Sequence, residues 1–541
     1  MVVHSKRFMS KCVKNNNPIW RRIHYPALAV CLGTVFMAPP QHREQGNLIC
    51  VKWTILSLAL ICFCALCDIA RHHESPANEG KIVKSVFLVG MIEVIVCLLQ
   101  STKVMVSYNP FFAFTGSFSN PAMLAILLSV CIPIGVFYAR QSVAREKWLW
   151  SMATFSMGVC LLFSTSRTCI LAVCASCIIL FLRPTAVLSC LRHRMKSLFF
   201  FVVIVLPLLF LFMLKQDSTN GRVLIWTNAA RMIADKPLLG WGANGFSAHY
   251  MLYQAAFFTK FPHSEYADLA DNIAHPLSEY LLIAVDYGIV GLAVLLLVVF
   301  LLMRVMRRSK SKYRKLYLSV SMSIVVCSLF SYPFKMPFIW IVSAYLACTS
   351  LRTLCLGQVR YLGAPFLVVA VISLFFRFVC GIDNQWRWAS LQDNPHQKMP
   401  DEILKEYEFL YAELYHNSYF LYNYGAVLHQ SGNFKESTQV LEECENLYND
   451  YNVQMLLGDN FRQQGMAEDA VNKFSLAGRM IPCRFLPLYY EMETYMENGE
   501  LDKAYRIANA ILQKHVKVKN TPAVDKIRSQ ARQVIEENKD E

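Results

Sequence analysis

The sequence predicts an all-α, polytopic membrane protein of about eleven transmembrane helices, followed by an α-solenoid of helical repeats. Three observations carry this. Hydrophobic residues fill 55% of the 541 positions and charged residues only 17%, where a soluble domain has about 25%. The apolar residues gather in long runs that stop near residue 380. The tail beyond repeats one helical pattern.

A spanning helix needs about 20 mostly apolar residues. Runs that meet or approach this length cover 23–39, 48–70, 82–100, 121–139, 147–163, 168–182, 197–214, 277–303, 316–331, 337–351 and 362–380. Charge orients them. With the N-terminus in the cytoplasm, the cytoplasmic segments hold 25 Lys and Arg and the opposite segments 9. That asymmetry is the positive-inside rule, and it leaves the tail on the outer side. The N-terminus is polar and basic with no small-residue cleavage site, so no cleavable leader is expected.

The net charge is +15, but it is unevenly spread: residues 1–380 carry +23 and residues 381–541 carry −8. The basic residues stand in short clusters between apolar runs, as from Arg304 to Lys315. Such clusters set topology, and nucleic acid is excluded as a partner. The 19 cysteines fall mostly inside apolar runs. The Cys64/Cys67 and Cys174/Cys177 pairs have no second pair or histidine at zinc-ligand spacing, so they read as packing residues and not as a metal site. Whether Cys444 and Cys483 pair in the tail stays open at this point.

Composition therefore sets the boundaries: a membrane domain over 1–380 with a large periplasmic loop at 215–276, a linker at 381–417, and repeats over 418–541. The loop carries five basic and five acidic residues with aromatics along its length, and it is expected to fold over a cavity. In the tail, Gly432, Gly465 and Gly499 are spaced by 33 and 34 residues. Ser437, Ala470 and Ala504 follow each at +5, where a small residue lets two helices approach. This period and patterning are those of tetratricopeptide repeats, which usually bind a partner and perform no chemistry.

The membrane part resembles the O-antigen ligase and O-antigen polymerase superfamily. The features run in order: Gly221, Arg222 and Trp226; KPLLGWGANGF from Lys236 to Phe246; and AHPLSEYLLIAVDYGIVGL from Ala274 to Leu292. GSFSNPAML (Gly116 to Leu124) and STSR (Ser164 to Arg167) resemble the family's external segments upstream. Pro276 and Ser278 stand where the family often has asparagine. The resemblance implies a metal-independent glycosyltransferase without cofactor, acting at the periplasmic face of a bacterial inner membrane. It implies an undecaprenyl-diphosphate-linked glycan as donor. The acceptor would be lipid A core, another glycan, or a protein hydroxyl. A transporter or flippase of lipid-linked sugars, or a membrane-anchored repeat scaffold, remains the rival reading.

Such a transfer must stabilise a leaving diphosphate and relieve the acceptor hydroxyl of its proton. Arginine suits the first task through its bidentate, permanently charged fork. Arg167 and Arg222, both at the outer interface in this topology, are the expected donor-binding residues. Histidine suits the second, with an ordinary pKa of about 6.5. His275 is the expected general base, just before a span starting at Leu277 with Pro276 at its first position. Glu279, four residues on, is expected to orient the ring. Asp286 would complete an acidic pair on the same stripe inside the span. His249 and His263 read as surface residues, and Glu93 reads either as a buried hydrogen-bonding partner or as part of the cavity.

Overall fold

The computed structural model describes residues 76–181, 216–355, 383–393 and 400–540 apart from short gaps, with short stretches near 54–62 and 368–376. Every regular element among them is helical. The helices are α1 (Pro76–Ser101), α2 (Pro121–Gln141), α3 (Ala144–Phe163), α4 (Arg167–Phe181), α5 (Gln216–Asp235) and α6 (Gly245–Lys260). Next come α7 (Glu279–Arg308), α8 (Arg314–Phe330), α9 (Pro337–Cys355) and α10 (Asp383–Asp393). The tail contains α11 (Pro400–Leu414), α12 (Ser418–Gln430), α13 (Phe434–Leu447), α14 (Tyr451–Gln463), α15 (Ala467–Met480), α16 (Leu486–Glu497), α17 (Leu501–Gln513) and α18 (Pro522–Asp540).

Three described helices, Gly80–Ser101, Pro121–Gln141 and Glu279–Arg308, are long and apolar enough to cross a membrane, and Arg167–Phe181 and Pro337–Ser350 are shorter apolar helices. This is a helical membrane protein. The runs at 147–163 and 316–331 coincide with helices α3 and α8, which are not among the described helices long and apolar enough to cross. Those at 23–39 and 197–214 lie outside the described residues, as do large parts of 48–70 and 362–380.

Packing groups these helices into two compact units. One contains α1–α4, α8–α10 and the C-terminal part of α7 from Leu295. The other contains α5, α6, α7 up to Val294, and α11–α18. The division expected from composition ran at residues 380 and 417. Packing instead places the loop 215–276 with the tail.

In the first unit α2 is the central helix, with Leu124–Cys131 almost wholly buried against α1, α3, α4 and α8. Asn120 caps it by accepting from the Ala122 N–H (2.9 Å), and Pro121 takes the first position. Small polar residues join the helices: Ser323 Oγ donates to the Ser129 carbonyl and Ser319 Oγ to the Ser176 carbonyl, each at 2.8 Å. Such bonds matter most where no water competes. Arg140 caps the far end of α4 through the Leu180 carbonyl (2.7 Å).

In the second unit α12/α13, α14/α15 and α16/α17 form three successive helix–turn–helix pairs. Each turn contains a glycine in the left-handed region, Gly432, Gly465 or Gly499, at φ 78°, 74° and 76°. Ser437, Ala470 and Ala504 are fully buried, as their spacing requires. A Cβ on Gly425 or Gly458 would strike Leu441 or Phe474, so glycine there sets the distance between paired helices. Cys444 and Cys483 are both free thiols.

Candidate functional site

The site is built around a broken helix. Within α7, Gly288 has φ 67° and ψ −169°, which interrupts the helical ladder. The segment Pro237–Gly242 fills the interruption. Trp241 N–H donates to the Val285 carbonyl (2.9 Å) and Gly242 N–H to the Asp286 carbonyl (2.8 Å). In return Ile289 N–H donates to the Pro237 carbonyl (2.8 Å) and Val290 N–H to the Leu238 carbonyl (3.3 Å). Four of the groups at the break are thereby paired, and each would otherwise cost about 1–3 kcal/mol if left buried and unmet. The fit needs two glycines. A Cβ on Gly288 would collide with the Leu238 backbone, and one on Gly240 with the backbone of Val285 and Asp286.

Asp286 is a structural anchor here and not a partner of Glu279. Its Oδ1 accepts from the Phe246 N–H (2.8 Å). This caps α6, whose own N-cap residue Asn244 is left-handed (φ 63°) and makes no side-chain cap bond. The expectation of an acidic pair is corrected, because the cap commits this carboxylate to another helix.

His275 and Glu279 do come together. The imidazole Nε2 lies 3.7 Å from Glu279 Oε2, with both side chains largely buried. The helix does not begin at Pro276, however. Leu277 is left-handed (φ 56°), and α7 starts at Glu279. Ser278 acts as its cap, its carbonyl accepting from Leu282 N–H (3.0 Å) and its Oγ from Leu281 N–H (3.4 Å). The physical reason is this turn: His275 Nδ1 accepts from the Leu277 N–H (2.9 Å), which folds the chain back before the helix begins. A non-glycine residue at positive φ stores about 1–3 kcal/mol of strain. The same bond fixes the tautomer. With Nδ1 accepting, a neutral ring carries its proton on Nε2, facing Glu279. At 3.7 Å the pair is an electrostatic contact and not a hydrogen bond, and in this tautomer the carboxylate, not Nε2, is the group able to accept a proton.

Arg222 sits on α5 one turn before Trp226, whose indole N–H donates to the Pro276 carbonyl (3.0 Å). That bond ties the arginine's helix to the His275 turn. Arg167 is the first residue of α4 and belongs to the other unit. A cation at a helix N-terminus opposes the helix dipole, so folding alone does not favour it there.

Glu93 and Gln100 of α1 brace the Thr115–Ser117 segment of that other unit. Glu93, fully buried, accepts from Ser117 N–H (2.9 Å) and from the Ser117 hydroxyl. The Gln100 side chain accepts from Thr115 and Gly116 N–H (3.0 Å each) and donates to the Gly116 carbonyl (2.8 Å). Glu93 is thus the buried hydrogen-bonding partner. His263 is exposed. His249 is half-buried against Trp241, with ring centroids 4.5 Å apart. Burial, and then the nearby Lys236, push its pKa below the ordinary histidine value. Among the described residues no three His, Cys, Asp or Glu side chains group so as to hold a metal ion.

Sequence reasoning passed over Gln254 and Asn272. Gln254 is fully buried and Asn272 Oδ1 accepts from Tyr451 N–H (3.2 Å) in the repeats. No local pattern marks either one.

A helical membrane protein with a folded loop and a strained histidine turn is the class these features define. Residues 109–296 match the model of the O-antigen ligase family. The match spans the Gly116–Leu124 segment, Arg167, Arg222 and the His275–Glu279 turn, and it supports transfer of a lipid-linked glycan as the general function. No curated protein matches the chain.

Proposed function

We propose that the protein transfers a glycan from undecaprenyl diphosphate to an acceptor hydroxyl at the periplasmic face of the inner membrane. The match over 109–296 carries this reading. The geometry of α7 supports the location. Residues 289–308 form a segment about 30 Å long, enough to cross a bilayer, so the break at Gly288 and the turn before it fall at one membrane surface. The tail pairs are read as tetratricopeptide repeats on that same side.

In the reaction the acceptor oxygen attacks the anomeric carbon. The bond from that carbon to the diphosphate breaks, and undecaprenyl diphosphate leaves with the electron pair. Arg222 and Arg167 neutralise the departing diphosphate. Glu279 takes the hydroxyl proton, and His275, whose Nε2 faces Glu279 Oε2 across 3.7 Å, positions the carboxylate and the acceptor.

The test is product analysis after gene deletion, with complementation by wild type, Glu279→Gln and His275→Ala. Loss of long glycan from lipid A, shortened glycan chains, or unglycosylated periplasmic proteins each supports transfer and identifies the acceptor class. Glu279→Gln, made in normal amount, should lower product by about 10²–10⁴-fold as expected for a lost base, and His275→Ala by less. If all three products survive the deletion, or if Glu279→Gln complements fully, the reading fails.

A further inference from the structure

Asp271, Asn272, Ile273, Ala274 and Leu277, which lead into and flank the His275 turn, contact the repeats or the helix α6 that packs on them. Helix α6 packs against α13 and α15. Its Phe246, Tyr250, Met251 and Ala255 form one hydrophobic core with Tyr451, Met455, Phe474, Ala477 and Met480 of the repeats. Ile273 and Leu277, which flank His275, pack against that same core. The repeat surface beside α13 and α15 is therefore already covered by the protein's own loop.

Polar bonds fix the register. Gln254 Nε2 donates both to the Met480 carbonyl of α15 (2.8 Å) and to the Asp271 carbonyl (3.2 Å). Its Oε1 accepts from the Tyr250 hydroxyl (2.9 Å), so this buried amide spans from repeat to loop with its acceptor also used. Asn272 Oδ1 accepts from Tyr451 N–H (3.2 Å), the first residue of α14, beside the cap that Asp450 gives Val453 N–H (2.9 Å). Asn449 N–H donates to the Ser247 carbonyl (3.2 Å), and Ser247 Oγ to the Ala274 carbonyl (3.4 Å), one residue before the histidine. Arg484–Asp271 (3.5 Å) is exposed and adds little.

We infer that the repeats act as an internal clamp that sets the position of His275, with Asn272 and Gln254 as positioning residues. The repeats hold the segment that leads into the turn, and the strained Leu277 conformation persists because both of its sides are fixed. This rests on the proposed role of His275 and Glu279 for its chemical consequence, but not for its structural part.

The test uses the full chain in lipid nanodiscs and reads hydrogen exchange across residues 268–280. Asn272→Ala removes the acceptor for Tyr451 N–H and should speed exchange there about fivefold, as one lost half-buried hydrogen bond predicts. Asn272→Asp keeps an acceptor oxygen and should exchange as wild type does. Gln254→Glu, which faces two carbonyls without a donor, should exceed Asn272→Ala. In a deletion strain Asn272→Ala should lower glycan product about tenfold or more at normal expression, since small misplacements of reacting groups are costly, and Asn272→Asp should restore it. Unchanged exchange in both Asn272→Ala and Gln254→Glu overturns the clamp. Faster exchange with full product, or failure of Asn272→Asp to restore, overturns the positioning role. Full product from His275→Ala instead overturns the proposed chemistry, and the exchange comparison still judges the clamp.

Discussion

At the scale of single residues the decisive positions are those where a backbone shape leaves no choice. Gly288 is one of these. Alanine there would hold an L side chain at φ 67° and drive its Cβ into the Leu238 backbone, a combination that costs about 1–3 kcal/mol for strain alone. Gly221, by contrast, lies in α5 with nothing within 4 Å of an added Cβ, and alanine at such a helical site is favourable by up to about 1 kcal/mol. The expected outcome is that Gly288→Ala lowers the thermal midpoint of the purified protein by several degrees while Gly221→Ala leaves it equal or higher. Equal midpoints for the two variants would mean that the broken helix does not need its glycine. Both motifs in this arrangement, KPLLGWGANGF and DYGIVG, stood out in the sequence. That they bind each other did not, because the bonds run between backbone groups and leave no trace in residue type. The same holds for Asp286, whose carboxylate reads as half of an acidic pair until the open end of α6 is seen beside it.

At the scale of elements the repeats were legible because their glycines punctuate the chain at a near-constant period and each turn adopts the left-handed cap that glycine permits. The seat of α6 against them was not legible. Its apolar residues Phe246, Tyr250, Met251, Phe257 and Phe258 share one buried face, as their spacing requires, but that spacing does not say which element covers the face. One contact between repeats gives a pH-dependent prediction. His429 of α12 reaches α14, with Nε2 3.3 Å from Asp459 Oδ2 and Nδ1 2.7 Å from Asn460 Oδ1. The bond to Asp459 raises its pKa above the ordinary value, against opposing contributions from burial and from Arg462. A raised folded-state pKa means that protonation favours the folded form. The contribution is complete below the unfolded pKa of about 6.5 and fades as pH rises through the folded one. Hydrogen exchange over residues 418–463 of the full chain should therefore accelerate as pH climbs through that window, after correction for intrinsic rates. His429→Gln should flatten the dependence, and a wild-type profile already flat would rule the contact out as a source of stability.

At the scale of the whole molecule two independent lines meet on the side of the membrane where the tail lies. Loop charge, 25 against 9, is the basis for expecting the loop 215–276 and the tail on the outer face. Packing says nothing about which face it is, but the core shared by α6, α14 and α15 requires the loop and the tail to be on the same one. The chain between them must then cross an even number of times. The expected spans in that interval are four: the part of α7 after Gly288, α8, α9 and the run at 362–380. Losing or adding one would pull the tail away from the loop and expose Phe474, Met480 and Tyr250, all fully buried. The four expected spans, the run at 362–380 among them, meet that even count. Alkaline phosphatase fused after Glu541 should be active in cells, and so should the same reporter inserted at the exposed His263 between α6 and α7. A fluorescent protein that folds only in the cytoplasm should stay dark at both sites. Opposite answers at the two sites would contradict the shared core, and cytoplasmic answers at both would keep the core but invert the membrane. Inversion would place the His275 turn on the inner face, away from any periplasmic acceptor, and the proposed reaction could not stand.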